Sequence, residues 1–136
     1  MVEKLKKILI IDDERSIRAT LKEILEFEKY LVETAQDGIE GYKMAEEKNF
    51  DLIFCDIKMP KIDGIETLKK IVENNILSPV IMISGHGDIE TAVQTLKIGA
   101  FDYIEKPLDL NRVLTCVRNA LDNNNLKKEN TILKRK

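Results

Sequence analysis

Four strand-like segments of this chain are each followed by residues that can bind phosphate or a divalent metal ion. Acids follow two of the segments, a serine follows another and a lysine follows the last; these residues are Asp12, Asp13, Asp56, Ser84 and Lys106. The carboxyl ends of parallel strands meet at one edge of an α/β sheet, where ligand chemistry collects. If the segments are parallel strands, three carboxylates, a hydroxyl and an ammonium group therefore converge on one site.

These groups together suit phosphoryl chemistry. Carboxylates on neighbouring strand ends offer the oxygen ligands that Mg²⁺ prefers, and one of them can instead act as the nucleophile and carry a phosphoryl group. The ammonium of Lys106 and the hydroxyl of Ser84 would neutralise the transferred oxygens. Taken singly, each residue has an ordinary explanation: a helix cap, a turn acid, a loop hydroxyl or a solvated lysine. Their joint occurrence at four strand ends favours the functional interpretation.

The elements that must position these residues alternate between strand and helix, as in repeated βαβ units. The sequence predicts strands at about residues 7–12, 31–35, 51–55, 79–83 and 101–104, each followed by a helix. Asp37, Asp88 and Asp109 are predicted to cap three of the helices at their N-termini. Right-handed crossovers then give a doubly wound five-stranded parallel sheet. The strand order is not visible in the sequence.

Composition indicates one domain with a short extra segment. The chain has 136 residues and a formal net charge of −2, which gives no reason to expect nucleic-acid or membrane binding by the whole chain. Cys55 and Cys116 lie in apolar contexts without a CxxC pair, so we interpret them as small buried hydrophobes in a reducing cytoplasm. Asn123-Asn124-Asn125 interrupts the last apolar stripe. We therefore expect a domain over residues 1–123 and the start of a linker over 124–136.

The motifs resemble those of the receiver domains of two-component response regulators, over about residues 7–123. The resemblance rests on Ile11-Asp12-Asp13-Glu14, Asp56-Ile57-Lys58-Met59-Pro60, Asp63-Gly64, Ser84, Gly99-Ala100 and Tyr103-Ile104-Glu105-Lys106-Pro107. It implies the flavodoxin-like receiver fold with strand order 2-1-3-4-5. In that order, Asp12 and Asp13 would lie beside Asp56.

The resemblance also implies a role for each site residue. Asp56 would accept a phosphoryl group from the phosphohistidine of a sensor histidine kinase, and the domain would catalyse only its own phosphorylation and dephosphorylation. Mg²⁺ would be bound by Asp13, Asp56 and the backbone carbonyl of Lys58, and by Asp12 through water. Lys106 would pair with the carboxylate and later with the phosphoryl group.

The same resemblance implies a switch that reaches the surface. Ser84 and Tyr103 would move together and change the face formed by the fourth helix, the last strand and the last helix. The bond between Lys106 and Pro107 is expected to be cis. His86 and Lys58 would flank the phosphoryl group by family position, either tuning its lifetime or serving as ordinary loop residues.

The segment from Ser84 to Tyr103 is similar to a narrower group, the receivers of nitrogen-regulation-type (NtrC/NtrX) activators that work with sigma-54 polymerase. That similarity implies control of transcription through ATPase and DNA-binding output domains. Neither is expected in this chain, because it has no P-loop motif and no recognition helix. We expect a homodimer through the receiver, no direct contact with nucleic acid and no membrane association.

Three alternatives stay open from the sequence. A stand-alone response regulator would keep the fold and act by binding proteins. A phosphatase with an aspartyl nucleophile, of the haloacid-dehalogenase type, would need a D-x-D motif after the first strand, where the chain has Asp12-Asp13-Glu14-Arg15. A flavodoxin-like electron carrier would need a Ser/Thr-rich phosphate loop there.

Overall fold

The chain forms a five-stranded parallel sheet with helices on both faces. The computed structural model describes residues 5–134, and side chains within residues 5–123. The strands are β1 (Lys7–Ile11), β2 (Leu31–Ala35), β3 (Leu52–Asp56), β4 (Val80–Ser84) and β5 (Asp102–Glu105). The helices are α1 (Arg15–Phe27), α2 (Gly38–Glu47), α3 (Gly64–Glu73), α4 (Ile89–Ile98) and α5 (Leu110–Lys134). The strand order is β2-β1-β3-β4-β5, which confirms the predicted fold class.

The central strands are apolar throughout because both of their faces are covered. In β1, Ile8 and Ile10 belong to one hydrophobic cluster, which includes residues of α1 and α5. Leu9 and Ile11 belong to the other cluster, which includes residues of α2, α3 and α4. Successive side chains of a strand point to opposite faces, so this alternation separates the two helix layers. The sheet is thus held from both sides, and its carboxyl edge is a rigid platform.

Strand register brings the polar residues of that edge together. β1 and β3 are neighbours, with Ile11 opposite Cys55, so Asp12 and Asp56 follow on adjacent strands. β4 lies on the other side of β3, with Ile83 opposite Asp56. The switch point between β1 and β3 therefore lies at the acidic residues, as expected for this strand order.

Helix capping follows the sequence in two of the three predicted cases. Asp37 accepts a hydrogen bond from the backbone N–H of Glu40 at 2.8 Å, and Asp109 accepts one from Arg112 at 3.0 Å. The predicted side-chain cap by Asp88 is wrong, because Asp88 stands at the N-cap position of α4 without a capping hydrogen bond. Its Oδ2 lies 3.1 Å from Nζ of Lys58 instead, so an ion pair with another loop replaces the cap.

The last helix continues past the predicted interruption. α5 runs to Lys134, because asparagine is only a moderately poor helix former and does not break a helix by itself. Leu121 is still buried against the sheet. The apolar stripe therefore indicates how far α5 packs and does not mark its end. The proposed linker over 124–136 falls outside the described side chains, and the domain boundary at residue 123 stays a prediction. Within residues 5–134, no helix is long and apolar enough to cross a membrane.

Candidate functional site

Three carboxylates meet at the carboxyl edge of the sheet. Ligand atoms of Asp12, Asp13 and Asp56 all lie within 4.8 Å of one another. Asp12 and Asp56 are buried, and Asp13 is exposed. Three anionic groups this close repel one another unless a cation compensates them. The predicted acidic cluster is therefore present, in a form suited to a divalent metal ion.

Asp12 is fixed by the backbone around it and keeps one oxygen free. Its backbone N–H donates to Ala35, and its Oδ1 accepts a hydrogen bond from the N–H of Glu14 at 2.8 Å. Its Oδ2 is buried and has no hydrogen-bond partner among the described residues. Buried polar atoms almost always have a partner, such as an ordered water or an ion when protein groups are lacking. The free oxygen thus fits a hydrated metal ion in the cluster.

Burial and mutual repulsion disfavour the simultaneous ionisation of Asp12 and Asp56. The pKa of Asp56 is raised to about 7 by burial first and by the charge of Asp12 second, while the charge of Lys106 acts in the opposite direction. Burial also raises the pKa of Asp12, against the hydrogen bond from the Glu14 backbone. Both carboxyls are held less acidic than usual, so added positive charge would favour their ionised forms.

Lys106 brings a positive charge next to the acidic cluster. Its Nζ lies 3.5 Å from Oδ2 of Asp56, 3.9 Å from Oδ2 of Asp12 and 2.6 Å from Oε1 of Glu14. Burial lowers the pKa of Lys106, but the hydrogen bond to Glu14 and the neighbouring acids raise it above its ordinary value overall. The Lys106–Pro107 bond is cis, as predicted.

Glu14 is the site residue that the sequence analysis did not single out. In the sequence, Glu14 directly follows the aspartate pair Asp12-Asp13. Its partner Lys106 is 92 residues away, so no local sequence pattern predicts the contact. An acid directly after two strand-end aspartates is the one signal that could have suggested it.

Ser84 lies in the same site, with its hydroxyl turned toward β5. It is the last residue of β4 and is buried, and its Oγ donates a 3.4 Å hydrogen bond to the carbonyl of Ile104. The backbone N–H of Lys106 donates to the carbonyl of Ser84, which ties the two strand ends together. Tyr103 lies in β5, partly buried against the helix layer that includes α4. The predicted switch residues thus occupy adjacent strands.

Lys58 and His86 lie in the loops that leave β3 and β4. The exposed side chain of Lys58 pairs with Asp88, and Nδ1 of the exposed His86 lies 3.9 Å from Oε1 of Glu105. The loop after Asp56 is held by two backbone hydrogen bonds of Ile57, whose N–H donates to Ile83 and whose carbonyl accepts from Gly64 at 2.7 Å.

Gly64 lets helix α3 start directly against the end of β3. A Cβ atom at this position would lie 2.0 Å from the carbonyl oxygen of Asp56 and 2.6 Å from Cα of Ile57. Both contacts are with backbone, so no side-chain rotation could relieve them. The close approach fixes the backbone on which the Asp56 carboxylate is mounted.

The sequence matches the family model of the response regulator receiver domain over residues 8–118. The chain is 40% identical over 114 residues to the transcriptional regulatory protein ZraR of Klebsiella oxytoca, covering 84% of this chain and 26% of ZraR. It is also 40% identical over 131 residues to a putative NtrX-like response regulator of Rickettsia felis, covering 95% of this chain and 28% of the relative.

Solved structures agree with this family. The crystal structure of NtrX from Brucella abortus superposes with a TM-score of 0.89 and 36% identity, over 96% of this chain and 30% of NtrX. The receiver domain of the same protein superposes with a TM-score of 0.81 and 38% identity, over 85% of this chain and 98% of that domain. The chain spans about a quarter of the length of the curated relatives it matches. By its sequence and its fold, this chain belongs to the family of response regulator receiver domains.

Proposed function

We propose that this receiver domain takes up a phosphoryl group on Asp56 from the phosphohistidine of a sensor histidine kinase. One observation carries the proposal: a buried carboxylate at the end of β3 lies 3.5 Å from the Lys106 ammonium, within an acidic cluster suited to a metal ion. Aspartate is an established covalent carrier of phosphoryl groups.

The transfer requires little covalent chemistry beyond the nucleophile. A carboxylate oxygen of Asp56 attacks phosphorus and forms the O–P bond, while the P–N bond to the donor imidazole breaks. The electron pair of that bond returns to the imidazole nitrogen, which then takes a proton from solvent. The ammonium of Lys106 balances charge on the transferred oxygens, and the Ser84 hydroxyl can turn from Ile104 to donate to one of them.

The acidic cluster fits Mg²⁺ as the resident metal ion. Asp13, Asp56 and the backbone carbonyl of Lys58 would bind it, and the free Oδ2 of Asp12 would bind it through water. The ion supplies positive charge to the oxygens of the phosphoryl group and offsets the repulsion between the carboxylates. We expect phosphoryl uptake to depend on it.

Intact-mass spectrometry tests the proposal directly. The native chain, incubated with acetyl phosphate and Mg²⁺, is expected to gain the mass of one phosphoryl group. Chelating the metal ion before the donor is added is expected to prevent the gain. If the chain gains no mass and also fails to bind beryllofluoride with Mg²⁺, Asp56 is not a competent acceptor and the proposal fails.

We further propose that the domain controls an output region for transcription. Two findings support this second proposal. ZraR is named a transcriptional regulatory protein, and this chain covers only 26% of its length. The resemblance to NtrC/NtrX receivers makes ATPase and DNA-binding domains that act with sigma-54 polymerase the proposed output. Phosphorylation would shift the receiver between two conformations, and the output region would respond to the one it binds better.

A second copy of the receiver is the proposed partner on the face formed by α4, β5 and α5. Ile89, Val93 and Leu96 are exposed by 51%, 39% and 37%, and their spacing places them on one side of α4. Leu110, at the start of α5, is 52% exposed. A contiguous apolar stripe of this kind marks a binding surface. It lies next to β4 and β5, which contain Ser84 and Tyr103, so a change at the site can reach it.

Replacing Val93 with lysine is expected to weaken self-association by at least about tenfold, because it places a charge at the centre of the apolar stripe. Analytical ultracentrifugation of the native and variant chains, with and without beryllofluoride and Mg²⁺, measures this. The matched control is Leu77→Lys, which changes an exposed leucine in the loop before β4, outside α4, β5 and α5. Association of Val93→Lys equal to that of the native chain, or a native chain that stays monomeric in both states, would contradict the proposed dimer.

A further inference from the structure

Lys106 has three acidic neighbours, and Glu14 is the nearest of them. The ammonium donates a 2.6 Å hydrogen bond to Oε1 of Glu14, whereas Asp56 and Asp12 are 3.5 Å and 3.9 Å away. Charge-assisted hydrogen bonds have donor–acceptor distances near 2.7–2.9 Å, so only the Glu14 contact is one. The ammonium is thus bonded to an acid outside the carboxylate cluster, and not to the proposed phosphoacceptor.

Glu14 is anchored by its backbone, and its side chain is free to hold Lys106. Its N–H donates to Oδ1 of Asp12 at 2.8 Å, which fixes its position beside the site. It stands at the N-cap position of α1, yet its side chain makes no capping hydrogen bond. The Glu14 carboxylate therefore accepts a hydrogen bond from Lys106 and does not cap helix α1.

We propose that Glu14 is a positioning residue that takes the hydrogen bond of the Lys106 ammonium, and leaves Asp56 the longer 3.5 Å contact, until a phosphoryl group is present. The inference rests on the proposed phosphorylation of Asp56. A phosphoryl group carries about −1.5 to −2 charges near neutral pH. The ammonium moves from Glu14 toward the phosphoryl oxygens as the group is transferred. Glu14 thereby competes with the transition state for Lys106 and slows uptake.

The burial of the pair sets the size of this effect. Glu14 is 52% exposed and Lys106 is 19% exposed, so water screens the interaction on the Glu14 side. Ion pairs at such half-exposed positions are weak. Releasing Lys106 from Glu14 is therefore expected to raise the rate of phosphoryl uptake by about two- to fivefold.

Two variants of Glu14 separate the effect of its hydrogen bond to Lys106 from the effect of its negative charge. Glu14→Gln removes both the charge and the strong hydrogen bond. Glu14→Asp keeps the charge but has one methylene less, which withdraws the carboxylate from the ammonium. If the hold on Lys106 is what matters, both variants take up phosphoryl faster. The matched control is Glu33→Gln, which breaks a 2.6 Å bridge to Lys48 at a distance from the site.

The experiment combines a structural readout with a rate. Nitrogen-15 NMR of the Lys106 ammonium in the metal-free chain is expected to show slower hydrogen exchange in the native chain and in Glu33→Gln than in either Glu14 variant. Initial rates of mass gain with acetyl phosphate and Mg²⁺ are expected to rise about two- to fivefold in both Glu14 variants only.

Each contrary result has a separate meaning. If the native chain takes up no phosphoryl group, the proposed function fails, and this inference fails with it. If the native chain is phosphorylated and both Glu14 variants match its rate and its ammonium exchange, only the positioning role is overturned. An increase in Glu14→Gln without one in Glu14→Asp also overturns it, since charge alone would then account for the rate.

Discussion

Replacing Asp56 with asparagine is expected to abolish phosphoryl uptake and, at the same time, to stabilise the fold at neutral pH. The first effect follows from loss of the nucleophile, because a neutral amide oxygen does not replace a carboxylate in attacking phosphorus. The second follows from the pocket, in which a buried carboxylate lies against Asp12. The Asp56 carboxylate that is required for activity therefore lowers the stability of the fold, a trade that is common at functional sites.

The pH dependence of the second effect has a definite sign. The pKa of Asp56 is raised to about 7 in the folded chain, against about 3.9 for an unfolded aspartate. Below pH 4 the group is protonated in both states and contributes no penalty. Between pH 4 and pH 7 the unfolded chain ionises first, so the native fold loses stability as the pH rises. The advantage of Asp56→Asn should therefore grow over this window and level off above it.

At pH 8, Asp56→Asn is expected to raise the free energy of unfolding by about 1–4 kcal/mol. The upper value corresponds to the full pKa shift of Asp56, and the cost of burying the asparagine amide reduces the gain below it. Urea denaturation of both chains in metal-free buffer, at pH 4.5 and pH 8, measures the difference. Asp122→Asn, an exposed acid on α5, is the control and should change neither stability nor uptake. An Asp56→Asn chain that still gains a phosphoryl group, or that loses stability at pH 8, contradicts this account.

Magnesium is expected to stabilise the native chain, and Asp13→Asn is expected to remove that response. Three mutually repelling carboxylates gain a compensating cation when the ion binds, and binding to the folded state alone raises its stability. At a hundredfold excess over the dissociation constant, the gain is about 3 kcal/mol. Asp13 is exposed, so its replacement should leave the metal-free fold intact.

Thermal unfolding with and without Mg²⁺, for the native chain, Asp13→Asn and Asp122→Asn, measures this. The native chain and Asp122→Asn should show the same rise in melting temperature, and Asp13→Asn should show little. Calcium at the same concentration tests whether the response requires the smaller ion. Equal responses in all three chains would show that magnesium binds elsewhere.

The elements and the members of the site follow from local sequence signals. Strands β1, β3 and β4 are short apolar runs, and Asp12, Asp56 and Ser84 come directly after such runs, so these predicted site positions can be read without any contact information. Lys106 follows β5, whose sequence DYIE is half polar. The strand order needed the family resemblance, because it depends on pairings between distant segments. Sequence patterns report which face of an element is buried but not which element covers it.

The prediction that failed, the helix cap by Asp88, depended on such a distant contact. Asp88 has the residue type and the position of a helix cap, yet it pairs with Lys58, which lies in the loop after β3. The contact between Glu14 and Lys106 was missed for the same reason. Helix α5 continues to Lys134, past the interruption of its apolar stripe, because loss of the stripe indicates the end of packing and not the end of a helix.

The register of the sheet also has a consequence for how the site comes into being. Asp12 and Asp13 follow β1, near the beginning of the chain, and Asp56 ends β3, near the middle, whereas Lys106 follows the last strand. An intermediate that lacks docked β5 would hold the carboxylates together without their protein cation. The repulsion between the carboxylates is therefore compensated by Lys106 only in conformations in which β5 is paired with β4.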